Sequence, residues 1–298
     1  MTLSTANAID ISRLPPPNII GQLDFAAILS ALRADMLARH PDFSAAVESD
    51  PVQKLLEVAA YRELMLRAEF NERARGCMIA FAKGADLDQL GALLGAQRLE
   101  ITPADEYLGL PAVMESDEDF RRRVVLSPEG FSVAGPEGAY ISHALAADGD
   151  VLDASATSPE PGEVVVTVLS RIGDGTASPE LLALVDAAVS AEDVRPLTDM
   201  VTVQGAEIVE FDIDADIETF AGPDSAIVMA EARRQIEGYI TRSRKLGRDI
   251  VRSAIIGALH VEGVSRVVLN APAEDEILDR TQAAYCTGIT LNHSGTGE

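Results

Sequence analysis

The sequence has few cysteines and no long apolar run, and each shortage excludes a class of protein. Cys77 and Cys286 are the only cysteines and lack metal-ligand spacing, which argues against a disulfide framework or a thiolate zinc site. We expect both to be buried or half-buried thiols. No stretch approaches the roughly 18 apolar residues that cross a bilayer, and the start lacks the basic and apolar regions of a secretory signal. These features predict a soluble protein made in the cytosol.

Positive charge is also scarce. The 298 residues include 24 Lys plus Arg against 48 Asp plus Glu, which gives a formal net charge of −24. Residues 101–225 hold 26 of the acids and only 5 of the bases, so this middle part carries most of the excess. An acidic surface of this kind repels phosphate groups. We therefore expect neither nucleic-acid binding nor attachment to an anionic membrane.

Sequence motifs of catalysis are missing as well. The chain has no G-x-x-x-x-G-K-[ST] phosphate loop, no G-x-G-x-x-G after a strand, no H-E-x-x-H and no G-x-S-x-G. None of the four histidines lies four residues from another. We expect no enzymatic activity, no metal and no cofactor. A small hydrolase that uses the acids from Glu115 to Asp119 is the alternative left open.

Two amphipathic helices are predicted near the start of the chain. Apolar residues recur at spacings of three and four over 24–39 and over 51–81, after potential N-caps at Asp24 and Asp50. Too little of the chain is available to cover their shared apolar stripe, so we expect partner helices to cover it. The stripe consists of Phe25, Ile28, Leu32, Leu55, Leu56, Ala59, Leu66 and Phe70.

A short leucine-rich helix, KGADLDQLGALLGAQR, follows with a glycine on each side. We expect Gly84 to end the preceding helix, Asp86 to cap the short one and Gly95 to close it. Such a frame would fix the angle between two helices. The three residues are therefore predicted to set geometry and to carry no chemistry.

The predicted fold class is α+β. A helix is expected at ESDEDFRRRVV, where Ser116 caps and three acids fill the first turn. Helices and strands then alternate in two short series, which predicts two small mixed α/β units of the ferredoxin-like kind. The expected division is a long-helix region over 1–134, mixed units over 135–206 and 207–275, and a weakly patterned tail over 276–298.

The segment EFDIDADIE places an acid at every second position. Asp212, Asp214, Asp216 and Glu218 invite comparison with a calcium loop, but such a loop needs a Gly at the position that Ile217 occupies. The period of two instead predicts a strand with one apolar and one acidic face. This acidic face leaves open a further alternative, a binding module for basic partners.

Taken in order, the segments resemble the baseplate J-like proteins of contractile-tailed bacteriophages. The resemblance runs from about residue 20 to residue 275. It is carried by KGADLDQLGALLGAQR, ESDEDFRRRV, AGPEGAYISHALAADGDVLDA, PEPGEVVVTVL, VRPLTDMVTVQ and LGRDIVRSAIIGALHVEGVSRVVLNAP.

The resemblance implies a structural role in a baseplate wedge, where paired copies close a ring around the central hub beneath the sheath. It implies that the N-terminal helices bundle with a second copy and with a smaller, I-like tail protein. The mixed units would contact neighbouring wedges, and sheath-initiating and hub proteins are further implied partners of the chain. No cofactor or reaction is implied, and the expected location is the virion tail baseplate, reached from the host cytoplasm.

Overall fold

The computed structural model describes residues 15, 23–43, 50–132, 135–192, 194–222 and 224–297. These residues fall into two compact units. The helical unit contains the described residues up to 97, together with 117–121. The sheet unit contains 98–116 and the described residues from 122 to 297, which include every strand of the described chain.

The helical unit is built on α1 (Phe25–Arg39) and α2 (Pro51–Gly76), which pack against each other. Both helices begin as predicted. The Asp24 carboxylate accepts hydrogen bonds from the backbone N–H groups of residues 26 and 27, and the Asp50 carboxylate accepts one from residue 52. These bonds satisfy N–H groups that have no partner inside the helix.

The second helix ends five residues before the predicted position, at Gly76, and residues 77–81 form turns. Gly76 is close to α3 (Gly84–Leu93), because a Cβ added at this glycine would lie 2.8 Å from Asp86 Oδ2. Arg121 of α4 (Asp117–Leu126) donates to the carbonyl oxygens of Ile79 and Ala82 at 2.7 and 2.5 Å. The Arg121 side chain therefore satisfies carbonyl oxygens of the turns that a continuing helix would have satisfied with its own backbone N–H groups.

The sheet unit begins with a two-stranded antiparallel hairpin, β1 (Glu100–Thr102) and β2 (Val113–Met114), followed after α4 by a short 3-10 helix, Ser127–Phe131. The hairpin backbone lies close to the rest of the unit. A methyl group on Gly149 would overlap the carbonyl oxygen of Glu100, so glycine is required at this approach.

The first three-stranded sheet has the order β3 (Val151–Thr157), β4 (Glu163–Ser170) and β5 (Met200–Gly205). β3 and β4 are antiparallel, whereas β4 and β5 are parallel. The helices α5 (Glu137–Ala147) and α6 (Pro179–Val189) pack on its apolar face. The core there includes Ile141, Leu145, Ala154, Ala156, Val166, Val168, Leu181 and Val185.

The second sheet has the order β7 (Val264–Ala271), β6 (Glu207–Phe220) and β8 (Gln282–Gly297). β6 runs antiparallel to β7 and parallel to β8. The helices α7 (Ser225–Ser243) and α8 (Arg252–Leu259) pack on its apolar face. The core there includes Ile213, Ala215, Ile217, Val228, Ala232, Ile236, Ile255 and Leu259.

The predicted α+β class, with N-terminal helices followed by two small mixed units, is confirmed. The ferredoxin-like label is not matched, because it requires the order strand, helix, strand, strand, helix, strand. The first unit instead runs α5, β3, β4, α6, β5, and the second runs β6, α7, α8, β7, β8. Each sheet has three described strands and one parallel pair.

The tail predicted over 276–298 is wrong as a separate segment. Residues 282–297 form β8, which pairs with β6 along its whole length. The pattern was weak because β8 is an edge strand interrupted by two irregularities in its register. The boundaries predicted at 134/135 and 206/207 stay predictions.

Both cysteines were expected to be buried or half-buried, and this is correct for Cys286 but wrong for Cys77. Cys286 on β8 is half-buried, and this burial raises the pKa of its thiol. Cys77 is exposed, because it follows directly after the early end of α2.

Candidate assembly surfaces

The predicted apolar stripe is largely uncovered in the single chain. Leu55 is 67% exposed, Leu66 66% and Phe70 55%. Phe25 and Ala59 are also exposed, Leu32 and Leu56 are half-buried, and Ile28 is buried. The whole of α1 and α2 buries only Ile28, Gln53 and Ala60.

The exposed apolar surface of α2 is wider than the predicted stripe. Val58, Tyr61 and Met65 are exposed as well and lie three or four residues apart along the same helix. Contiguous apolar patches of this kind on a soluble protein mark interaction sites. The predicted stripe omits these three because they lie beside its face of the helix and not on it.

Gly95 closes α3 as predicted. It has φ +73°, and its N–H donates to the carbonyl of Ala92 while the N–H of Ala96 donates to the carbonyl of Gly91. This pair of bonds is the Schellman motif, in which a left-handed residue lets the chain leave the helix with its last carbonyls satisfied. Glycine adopts that conformation without a steric penalty.

The start of α3 differs from the prediction. Lys83 is the N-cap and has no side-chain cap hydrogen bond, while Asp86 lies inside the first turn. Gly84, with φ +50°, is the first helical residue and does not end α2. Its N–H donates to both carboxylate oxygens of Asp117 at 3.2 Å, so the first acid of α4 caps α3.

The acidic strand face is confirmed. On β6, Ile213, Ala215 and Ile217 are buried, and the acids between them point to the other face. Asn292 of β8 donates to Asp214 and Asp216 at 3.3 and 3.2 Å. The neutral Asn292 amide reduces the repulsion between these two carboxylates without bringing them together around an ion.

Two of the acids considered for a hydrolase, Glu115 and Asp117, have structural roles. Glu115 is buried and forms a bidentate pair with the buried Arg123, with Oε1 and Oε2 at 2.8 and 2.7 Å from the guanidinium. The N–H of Leu99 also donates to this carboxylate, and Arg98 donates to its backbone oxygen. A buried carboxylate whose two oxygens both accept hydrogen bonds from these donors is not free for acid–base chemistry, so Glu115 does not support the hydrolase alternative.

Sequence reasoning missed the tip of the β1–β2 hairpin, residues 105–110. Backbone hydrogen bonds in both directions join Asp105 and Leu110, and the Asp105 side chain accepts the N–H groups of Tyr107 and Leu108. Tyr107 is 97% exposed and Leu108 64%. The signal was present as the turn-forming D-x-x-x-G pattern, in which Gly109 has φ +65°.

Sequence reasoning also missed a basic segment at the end of α7. RSRKLGR, residues 242–248, is the only stretch of seven residues with four bases and no acid. It borders an open depression in the surface. The apolar walls of the depression come from Phe211, Tyr239, Ile240, Ile250 and Ala284.

No metal or membrane site is found in the described ranges. They contain no group of three or more His, Cys, Asp or Glu side chains that could hold a metal ion. None of the described helices combines the length and the apolarity needed to cross a bilayer. The distinctive features of both units are exposed apolar surfaces and helix geometry, which are typical of a structural protein that contacts other proteins.

Comparison with known proteins agrees with this class. Baseplate J-like domain models match residues 48–105 (N-terminal domain), 132–205 (central domain) and 211–292 (C-terminal domain). Baseplate protein J of Escherichia phage P2 is 48% identical over 299 residues, which cover 97% of this chain and 99% of that protein.

The chain belongs to the baseplate J-like family. It is a structural component of a phage tail baseplate and not an enzyme. A solved structure of the anti-feeding prophage baseplate is also similar, at 13% identity and a TM-score of 0.40 over 59% of this chain. The similar region spans 44% of that longer chain.

Proposed function

We propose that this protein is a wedge component of a contractile-tail baseplate, where copies of it form the ring around the central hub beneath the sheath. Baseplate and tail assembly would require it. In this proposal α1 and α2 bundle with the helices of a second copy and of a smaller, I-like tail protein. The sheet unit contacts neighbouring wedges, sheath-initiating proteins and hub proteins.

The observation that carries the proposal is the exposed apolar surface of α2. Its exposed side chains, from Leu55 to Phe70, extend over about four helical turns, which is the length of a helix-bundle contact. Burying one large apolar side chain contributes about 1.5–3 kcal/mol. Several of them on one helix can therefore hold a bundle together, whereas in water the same surface promotes aggregation.

The proposed roles follow the predicted boundaries. The assembly helices lie before residue 135, and the two mixed units lie after it. The second mixed unit ends with β8 and not at residue 275. Family matches over the N-terminal, central and C-terminal parts support three working regions.

The test is the double variant Leu55→Asp with Leu66→Asp, made in cells that produce the whole tail. Two carboxylates in an apolar bundle would be desolvated without partners, so the small tail protein should no longer co-purify and tails should be absent. The sheet unit should remain folded, because neither residue belongs to its core.

A matched control is Leu184→Asp with Ile227→Asp, since these apolar side chains are similarly exposed on helices of the sheet unit. Co-purification should survive in this control. Normal tails from the Leu55/Leu66 variant would show that α2 is not an assembly surface.

A further inference from the structure

The hairpin tip has the properties of a binding anchor. It is fixed before any partner arrives, by the two Asp105–Leu110 backbone hydrogen bonds and by the Asp105 side chain. A rigid loop loses little conformational freedom on binding. It displays Tyr107 and Leu108 outward, and tyrosine is one of the residues that most often dominate interface affinity.

The charges around this tip restrict its partner. Asp105 and Glu106 immediately precede Tyr107, and Glu106 is exposed. A complementary surface must therefore offer an apolar hollow next to positive charge. In a chain with net charge −24, such a surface is rare.

The depression beside α7 has this chemistry. Part of its lining is apolar, and Arg244, Arg248 and Asp249 line the rest, so two positive charges stand beside one negative charge. Arg244 is fixed in place, because it donates to the carbonyl oxygen of Gly173 at 2.7 Å and its guanidinium lies 5.6 Å from the centre of the Tyr285 ring. Arg248 is exposed, and the described part of the chain gives its guanidinium no ion-pair partner.

We propose that the hairpin tip of one copy docks into the depression beside α7 of a second copy. Tyr107 and Leu108 would cover the apolar walls, and Glu106 would pair with Arg248. The contact is heterologous, since the tip and the depression are different surfaces present on every copy, and repeated contacts of that kind form a ring when the rotation between copies closes. This inference rests on the proposed function, because it assumes that several copies meet in one baseplate.

The test is photo-crosslinking in tail particles from cells that produce the whole tail. With p-benzoylphenylalanine in place of Tyr107, irradiation should give a product of twice the 31.6 kDa chain mass. Mass spectrometry should map the second attachment to 239–250. The same probe in place of the equally exposed Leu197 is the control and should not label that segment.

A charge exchange provides the second measurement. Glu106→Arg alone and Arg248→Glu alone should each reduce the doubled product about tenfold, because each places like charges across the contact. The two changes together should restore it. Neither residue packs in a core cluster, so the single variants should fold normally.

The outcomes separate this inference from the proposed function. Attachment of the probe to another protein, attachment between two tips, or a failure of the double exchange to restore the product would overturn the docking. If the chain is present in the particles in any of these cases, the baseplate role stands. Absence of the chain from purified tails would instead contradict the proposed function.

Discussion

The α1–α2 pair and the two three-stranded sheets differ in how they cover their apolar residues. The three-stranded sheets bury theirs under pairs of helices, in two continuous cores. α1 and α2 together bury one leucine-sized side chain, Ile28, and leave a broad apolar surface exposed on α2. Each sheet covers one apolar face with helices of its own chain, whereas the apolar surface of α2 stays open in the single chain.

This difference shows where stability and assembly are encoded. A substitution in a sheet core should change the free energy of unfolding of the single chain. A substitution on α2 should leave that free energy unchanged and alter only the binding of partners. The predictions below test this separation, beginning with the largest expected effect.

Breaking the buried ion pair of the sheet unit should be the most damaging change. Arg123→Met leaves the Glu115 carboxylate buried without its partner, which should lower the free energy of unfolding by about 3–5 kcal/mol in urea unfolding. Arg73→Met breaks the exposed Arg73–Glu69 pair on α2 and should cost less than about 0.5 kcal/mol. Equal losses would contradict the contrast between the units.

Two leucines compare the core with the exposed helix directly. Leu181→Ala on α6 removes a side chain buried in the first sheet core and should cost about 2–5 kcal/mol. Leu66→Ala on α2 should change the free energy of unfolding by less than about 0.5 kcal/mol. If the single chain loses as much stability from the second change, α2 is already covered within one chain.

Gly95 tests whether backbone conformation sets the geometry of α3. An added Cβ meets no atom within 4 Å at Gly95 or at Gly257, but only Gly95 has a positive φ. Gly95→Ala should therefore cost about 1–2 kcal/mol, and valine at least as much. Gly257→Ala within α8 should stabilise by about 0.5–1 kcal/mol in the same thermal unfolding assay. If Gly95→Ala leaves the unfolding temperature unchanged, Gly95 does not set the geometry of α3. The same test applies to Gly84, which also has a positive φ.

The smallest effects are expected on the acidic strand face. Asp212→Asn, Asp214→Asn, Asp216→Asn or Glu218→Gln, made one at a time, should leave tail assembly intact. Asp212 is exposed and the other three are half-buried, and charges on such a solvated face contribute less than about 1 kcal/mol each and are screened by salt. Loss of tails from one such change, or micromolar calcium binding by calorimetry, would show that the face is a specific site.

The sequence predicted those parts of the fold that depend on local chemistry. Asp24 and Asp50 cap their helices because short acidic side chains reach free N–H groups, and β6 alternates because a strand has two faces. Gly95 closes α3 for the same kind of local reason. The exposed stripe was predicted because α1 and α2 have apolar periodicity without enough chain to cover it.

Features that depend on distant residues escaped prediction. The cap of α3 comes from Asp117, 33 residues along the chain, so the nearby Asp86 was chosen instead. The sequence around β8 does not predict a strand, because its partner β6 is about 75 residues away and its own alternation is irregular. Tyr107 was missed because exposure of a loop side chain is decided by packing elsewhere.

The parallel pairing of β6 with β8 has a consequence for the order in which the protein folds. β8 follows every other described element, so the ribosome synthesises it after them, while β6 must wait for α7, α8 and β7 before its second neighbour exists. Pairings between distant segments form slowly, because the intervening loop must close first. The second sheet therefore cannot be completed until β8 has been synthesised, and until then the edge of β6 that β8 covers has no partner strand.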